Sequence, residues 1–202
     1  MDIEKMISAV QKALSIDADG RAGPQTWGAI YQRIVGPLKD NEDDDGPTVV
    51  DLRSEAIIAT LLPEVRPYAR ELLLRAAAAE IRIKIISGLR TYEEQNRLFA
   101  QGRTIPDKPI VTNAQGGQSN HNFGIAFDIG VFEGSKYLGD SPKYKAVGVL
   151  GMELGLEWGG NWKSIVDQPH FQLRPIWAHG MNERSMLAEL RRRKAAGQDV
   201  YV

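Results

Sequence analysis

Cysteine is absent from the 202-residue chain, and histidine occurs only three times. Without thiols there is no disulfide framework, no thiolate nucleophile and no cysteine metal site, so any bound metal must rely on His, Asp or Glu. An excess of charge of one sign is lacking too: 25 Lys and Arg against 26 Asp and Glu leave a formal net charge of −1. Such a balance gives no overall attraction to nucleic acid or to an anionic membrane, and neither is expected as a partner. Long apolar runs are missing as well, none reaching the length of a membrane span. The opening MDIEKMISAVQKAL carries acidic residues where a secretory signal would be basic. The expectation is a protein made in the cytoplasm.

What is present is enough for a real core, with 43% hydrophobic residues. Residues 4–35 read as two short amphipathic helices around the polar turn DADGRAG. The stretch GPLKDNEDDDGPT, residues 36–48, is acidic and poor in apolar residues, the composition of an exposed linker. The chain therefore divides into a helical module over 1–38, an acidic linker over 39–48, a main domain over 49–180, and a C-terminal amphipathic helix and tail over 181–202. Within the main domain, helical patterns over 54–80 break between Pro63 and Pro67, and IRIKIIS alternates as a strand. Thr91 and Glu94 have the spacing of a capping box, and a helix follows to Gly102. Residues 103–118 form a long loop, GIAFDIGVF a strand, residues 141–154 a helix and DQPHFQL a short strand. The fold class expected is α+β: a small antiparallel sheet with flanking helices, plus a small all-α module.

Alternation in GIAFDIGVF sends Ile125, Phe127, Ile129 and Val131 to one face and leaves Asp128 on the other, among small residues. His121 lies in the turn before that strand. In the last strand Phe171 and Leu173 point inward, so His170 and Gln172 share the opposite side. Two His and one Asp with an open fourth position have the composition of a catalytic zinc site. Asp167, three residues before His170, could act as general base, and Arg90, at a strand-to-helix turn, could meet the negative charge that forms on a carbonyl oxygen. Plainer readings stand beside these. Each His could be an ordinary half-buried polar residue, Arg90 could pair with Glu93 or Glu94, and Asp167 could simply turn the chain. Asp128 is harder to dismiss, because a buried carboxylate between Phe127 and Ile129 needs a partner. His179, before the last helix, reads as structural.

The string Ser119-x-His121-x-x-Gly124-x-Ala126-x-Asp128, preceded by SGLRTYEEQ and followed by DQPHFQL, resembles the LAS-type zinc peptidases of bacterial cell-wall metabolism over roughly residues 60–176. These include D-Ala-D-Ala carboxypeptidases and dipeptidases and the L-alanyl-D-glutamate endopeptidases of phage lysins. The resemblance implies one zinc ion per chain held by His121, Asp128 and His170, with Asp167 as base, Arg90 at the scissile carbonyl, and Ser119 and Gln95 lining the substrate cleft. Carboxypeptidase members typically place Glu where this chain has Asp167. With EWGGNW and DQPHFQ, the chain is closer to the endopeptidase branch, leaving Glu157 as a cleft-wall or structural residue. The implied activity is hydrolysis of the stem peptide of peptidoglycan at L-Ala–D-Glu. The alternatives are a D-Ala-D-Ala carboxypeptidase and a non-catalytic wall-binding protein on the same scaffold. DGRAGPQTWGAI resembles the turn of small peptidoglycan-binding modules, which implies that residues 1–38 engage the wall. A phage lysin, made in the cytoplasm and released at lysis, matches the missing leader.

Overall fold

The computed structural model describes residues 2–22, 26, 29–30, 33, 50–106, 108–163 and 165–202. The expected linker and most of the module's second helix lie outside those residues. Two compact units separate at residues 41 and 42. No helix among the described residues is long and apolar enough to cross a membrane.

In the first unit, α1 (Ile3–Ala13) starts at Asp2, whose side chain accepts from the Glu4 amide. The polar turn that follows is organised by Gln11, which is only 2% exposed. Its amide nitrogen donates to Asp19 Oδ1 at 2.7 Å and Thr26 Oγ1 at 2.8 Å, and its oxygen accepts from the Gly20 amide.

The second unit holds α2 (Leu52–Ile58), α3 (Arg66–Ala78), α4 (Tyr92–Ala100), α5 (Lys143–Glu153) and α6 (Glu183–Ala195). Its strands are β1 (Ile83–Ser87), β2 (Ala126–Glu133), β3 (Lys136–Leu138), β4 (Glu157–Trp158) and β5 (His170–Gln172). They form one antiparallel sheet in the order β1-β2-β5-β4, with β3 added to β2. The fold class is thus α+β with a small antiparallel sheet, as expected. One sheet face carries Ile83, Ile85, Phe127, Ile129, Val131 and Phe171, all buried against the apolar faces of α2, α3 and α5. Phe127 and Phe171 stack at 5.8 Å across the β2-β5 pair. Burial of that face holds the register, because a slip by one residue would turn Asp128 into the core.

Helix α5 approaches the sheet closely through two glycines three positions apart. A Cβ at Gly148 would lie 2.5 Å from the Trp158 ring, and one at Gly151 would enter the ring of Phe171. Gly151→Ala is therefore expected to cost about 1–3 kcal/mol through overpacking, visible as a fall of several degrees in the melting temperature. An unchanged melting temperature would show that α5 has room the packing denies.

The C-terminal helix is an integral part of the second unit. Met186 and Leu190 of α6 are fully buried with Phe123, Ile125 and Ala178. Lys194 Nζ donates to the Asn122 carbonyl and Arg191 Nη1 to that of Gly117, both at 2.8 Å. The segment before β2 is thereby held by the last helix.

Candidate metal centre and active site

Antiparallel register builds the site. Asp128 on β2 sits directly opposite His170 on β5 and, across a bulge on the other side, opposite Ser87 on β1. Cross-strand partners project to the same face, so the three side chains form a row on the face away from the core. His121 reaches this row from a short 3-10 helix, Asn120–Phe123. Two hydrogen bonds join that turn to the segment just after β1: the Arg90 amide donates to the His121 carbonyl at 3.0 Å, and the side-chain Nδ1 of His121 lies 2.8 Å from the Gly88 carbonyl.

One atom from each of three side chains converges. His121 Nε2 and His170 Nδ1 each lie 3.1 Å from Asp128 Oδ1 and 3.2 Å from one another. Both rings use their outer nitrogen elsewhere, His121 Nδ1 toward the Gly88 carbonyl and His170 Nε2 toward Gln172 Oε1 at 3.0 Å. Carbonyl acceptors at the outer nitrogens call for an N–H there, which leaves the inner lone pairs aimed at the cluster. Two lone pairs and a carboxylate oxygen at such distances repel unless a proton or a cation lies among them. A tetrahedral ion with N and O ligands at about 2.0–2.2 Å would separate them by roughly 3.3–3.6 Å, close to what is seen. The donor set fits a metal ion, and this cluster is the one such grouping of His, Asp and Glu among the described residues.

Electrostatics agree. Burial, partly opposed by Asp128, lowers the pKa of His121 and keeps its ring neutral. Burial opposes ionisation of Asp128 as well, yet the two His rings outweigh it and hold the carboxyl well below the usual range. At His170 burial again disfavours the charge, but the bonds to Asp128 and Gln172 prevail and the pKa rises. The cluster thus attracts positive charge, and a bound cation would take the place of the His170 proton.

Arg90 does not pair with Glu93 or Glu94. Its Nη2 lies 2.5 Å from Asp128 Oδ2 and 2.8 Å from Ser87 Oγ, so the guanidinium stands against the ligand cluster. The expected capping box is formed, Thr91 and Glu94 closing it in both directions, and it anchors α4 immediately after Arg90. Asp167 lies in the cleft with Asp128 and His170. A turn closed by the His170 amide and the Asp167 carbonyl at 3.2 Å carries it, and its amide donates to Gly159. A Cβ at Gly159 would come within 2.5 Å of the Asp167 carbonyl oxygen, so EWGGNW contains the glycine that lets this turn approach. Burial, and then the neighbouring Asp128, raise the Asp167 pKa. Its carboxylate is not one of the three converging groups.

Ser119 lines the cleft, whereas Gln95 does not. That expectation needs correcting: Gln95 is fully buried behind the wall, where its nitrogen donates to the Ala114 carbonyl at 2.9 Å and its oxygen faces Arg90 Nη1 at 3.4 Å. Buried amides must satisfy both ends, and this one spans from Arg90 to the 112–114 loop. Glu157 lines the cleft but is committed, accepting from Gln172 Nε2 at 2.7 Å and from Arg174 Nε at 2.5 Å. His179 is exposed and apart from the cluster. Sequence reasoning gave no role to Trp162, whose ring lies 4.9 Å from that of His170, nor to Asn120, Asn122 and Gln172, all buried. Gln172 had a signal, since alternation places it beside His170.

A family described as D-alanyl-D-alanine carboxypeptidase matches residues 112–173, a span that includes all three converging residues and Asp167. The chain is 36% identical over 134 residues to the peptidoglycan L-alanyl-D-glutamate endopeptidase CwlK of Bacillus subtilis, covering 61% of this chain and 80% of that one. Among solved structures, the L-Ala D-Glu endopeptidase ChiX of Serratia marcescens aligns with a TM-score of 0.47 at 24% identity, over 68% of this chain and 95% of that one.

Proposed function

The chain belongs to the LAS-type peptidases, and from that premise we propose that it is a zinc-dependent endopeptidase hydrolysing the L-Ala–D-Glu bond of the peptidoglycan stem peptide. The observation that carries the reading is the convergence of His121 Nε2, His170 Nδ1 and Asp128 Oδ1 in one cleft with Asp167 and Arg90. Zinc suits two imidazoles and one carboxylate. When bound, it supplies Lewis acidity toward water and toward the scissile carbonyl. Asp167 takes the proton of the attacking water and returns it to the departing amine of D-Glu. The Arg90 guanidinium, steadied by Ser87 and Asp128, faces the negative charge on the carbonyl oxygen.

Two features favour an endopeptidase over a carboxypeptidase. The cleft is lined by two separate segments, Ile110 to Ala114 and Trp162, Lys163 and Ile165, which we read as walls of a groove for a chain that continues in both directions. Arg174, the lining arginine not assigned to the scissile carbonyl, is engaged by Glu157 and Glu183 and so is not free to receive a terminal carboxylate. Incubation with a muropeptide bearing a pentapeptide stem is expected to yield a new amino terminus on D-Glu and no free D-Ala. Free D-Ala as the main product would assign the carboxypeptidase activity instead.

Residues 1–38 are proposed to tether the enzyme to the wall. Tethering raises local concentration on an insoluble polymer, so removal of residues 1–46 is expected to slow digestion of intact walls while cleavage of soluble stem peptides stays unchanged. Equal wall digestion would reduce the module to a structural cap.

A further inference from the structure

Behind His170 five side chains close a ring. Gln172 Nε2 donates to Glu157 Oε2 at 2.7 Å. Glu157 accepts from Arg174 Nε at 2.5 Å and from its Nη2 at 3.1 Å. Arg174 Nη2 also donates to Glu183 Oε2 at 3.1 Å, and Asn120 Nδ2 donates both to Glu183 Oε1 and to Gln172 Oε1, each at 2.5 Å. These residues come from the turn that carries His121, from β4, from β5 and the residue two beyond it, and from the first position of α6.

The ring has one sense only. Arginine can only donate and an ionised carboxylate can only accept, so Glu157 demands the nitrogen of Gln172 and Glu183 demands that of Asn120. Gln172 Oε1 is then left facing His170 Nε2 at 3.0 Å. A reversed amide would set its oxygen against the Glu157 carboxylate and its N–H against that of Asn120, and Gln172 is fully buried.

We propose that this ring makes Gln172 the positioning residue of the metal centre: it holds His170 as the Nε2–H tautomer, with the Nδ1 lone pair directed at the metal. Glu157, Arg174, Asn120 and Glu183 act on the metal centre through Gln172. The C-terminal helix is thereby coupled to metal affinity through Glu183. The inference rests on the metal-site reading of His121, Asp128 and His170, and it adds what keeps one of those ligands in a binding form.

The test measures the zinc dissociation constant by competition with a chromophoric chelator, together with ring-nitrogen NMR of His170 in the metal-free protein at a pH where the imidazole is neutral. Gln172→Met keeps side-chain length but offers His170 no comparable acceptor. It is expected to weaken zinc binding about 10- to 100-fold, the usual effect of removing such a partner, and to replace the single Nε2–H tautomer with a mixture. Gln172→Glu combined with Glu157→Gln exchanges the amide and the carboxylate while returning an oxygen to His170. It is expected to recover affinity to within about threefold and to restore the single tautomer, and it carries the test if Gln172→Met does not fold. Wild-type affinity and an unmixed tautomer in folded Gln172→Met, or failure of the exchanged pair to recover either property, overturns the proposal. Absence of zinc binding by the wild-type protein would instead defeat the metal-site reading, and the tautomer measurement would still decide the role of Gln172.

Discussion

Asp167→Asn is expected to fold, to bind zinc as the wild type does, and to lose about a hundredfold or more of kcat, the ordinary scale for removing a general base. An amide oxygen cannot take the proton of the attacking water, whereas the change leaves shape and the 167–170 turn in place. Metal retention follows from geometry, since the three converging atoms belong to His121, Asp128 and His170. Burial raises the Asp167 pKa, and the charge of Asp128 raises it further. The base is therefore protonated, and activity lost, at a higher pH than an ordinary aspartate would give on the acid limb of kcat. Asp167→Asn should abolish that limb along with most of the rate. Glu157→Gln offers a contrast in kind: any loss there passes through Gln172 and metal affinity, so excess zinc restores it, while no amount of zinc restores Asp167→Asn. Should Asp167→Asn stay active while Glu157→Gln remains dead in saturating zinc, the base is Glu157.

His121→Ala is expected to reduce bound zinc from one ion per chain to little or none and to lower activity by about a thousandfold or more, because metal assistance supplies several kcal/mol of transition-state stabilisation. No substitute imidazole or thiolate is at hand. The chain has no Cys and three His in all, and His179 is exposed and away from the cleft. His179→Ala should accordingly leave zinc content at one per chain. Metal analysis of the purified proteins decides the matter, and undiminished zinc in His121→Ala removes that residue from the ligand set. Affinity in the wild type should fall with acidification, as protons reclaim the His170 ring whose pKa lies above the ordinary value.

Much of this was legible because periodicity carries the information. Alternation in GIAFDIGVF separates Asp128 from the core residues on either side of it, and β2 presents it that way. Alternation in PHFQL likewise sets His170 and Gln172 on one side. Thr91 and Glu94 announce the start of α4 by a local rule and are found making that cap. Non-local geometry was not legible. That Asp128 faces His170 across the strands depends on the pairing of β2 with β5, 42 residues apart. Arg90 has two carboxylates nearby in sequence, Glu93 and Glu94, and yet its partner is Asp128, 38 residues away. Gln95 shows the opposite limit: its place in a helix gave no hint that it is buried and turned toward the 112–114 loop. The ring around Gln172 draws members from Asn120 to Glu183, and no local pattern could have assembled it.

The most direct measurement is an anomalous difference map at the zinc absorption edge from crystals of the purified protein. One peak is expected per chain, at about 2.0–2.2 Å from His121 Nε2, His170 Nδ1 and an Asp128 carboxylate oxygen, with Asp167 outside the coordination sphere and Gln172 Oε1 still bonded to His170 Nε2. No peak, or a peak ligated by Asp167 or Glu157 in place of one of those three, would contradict the account.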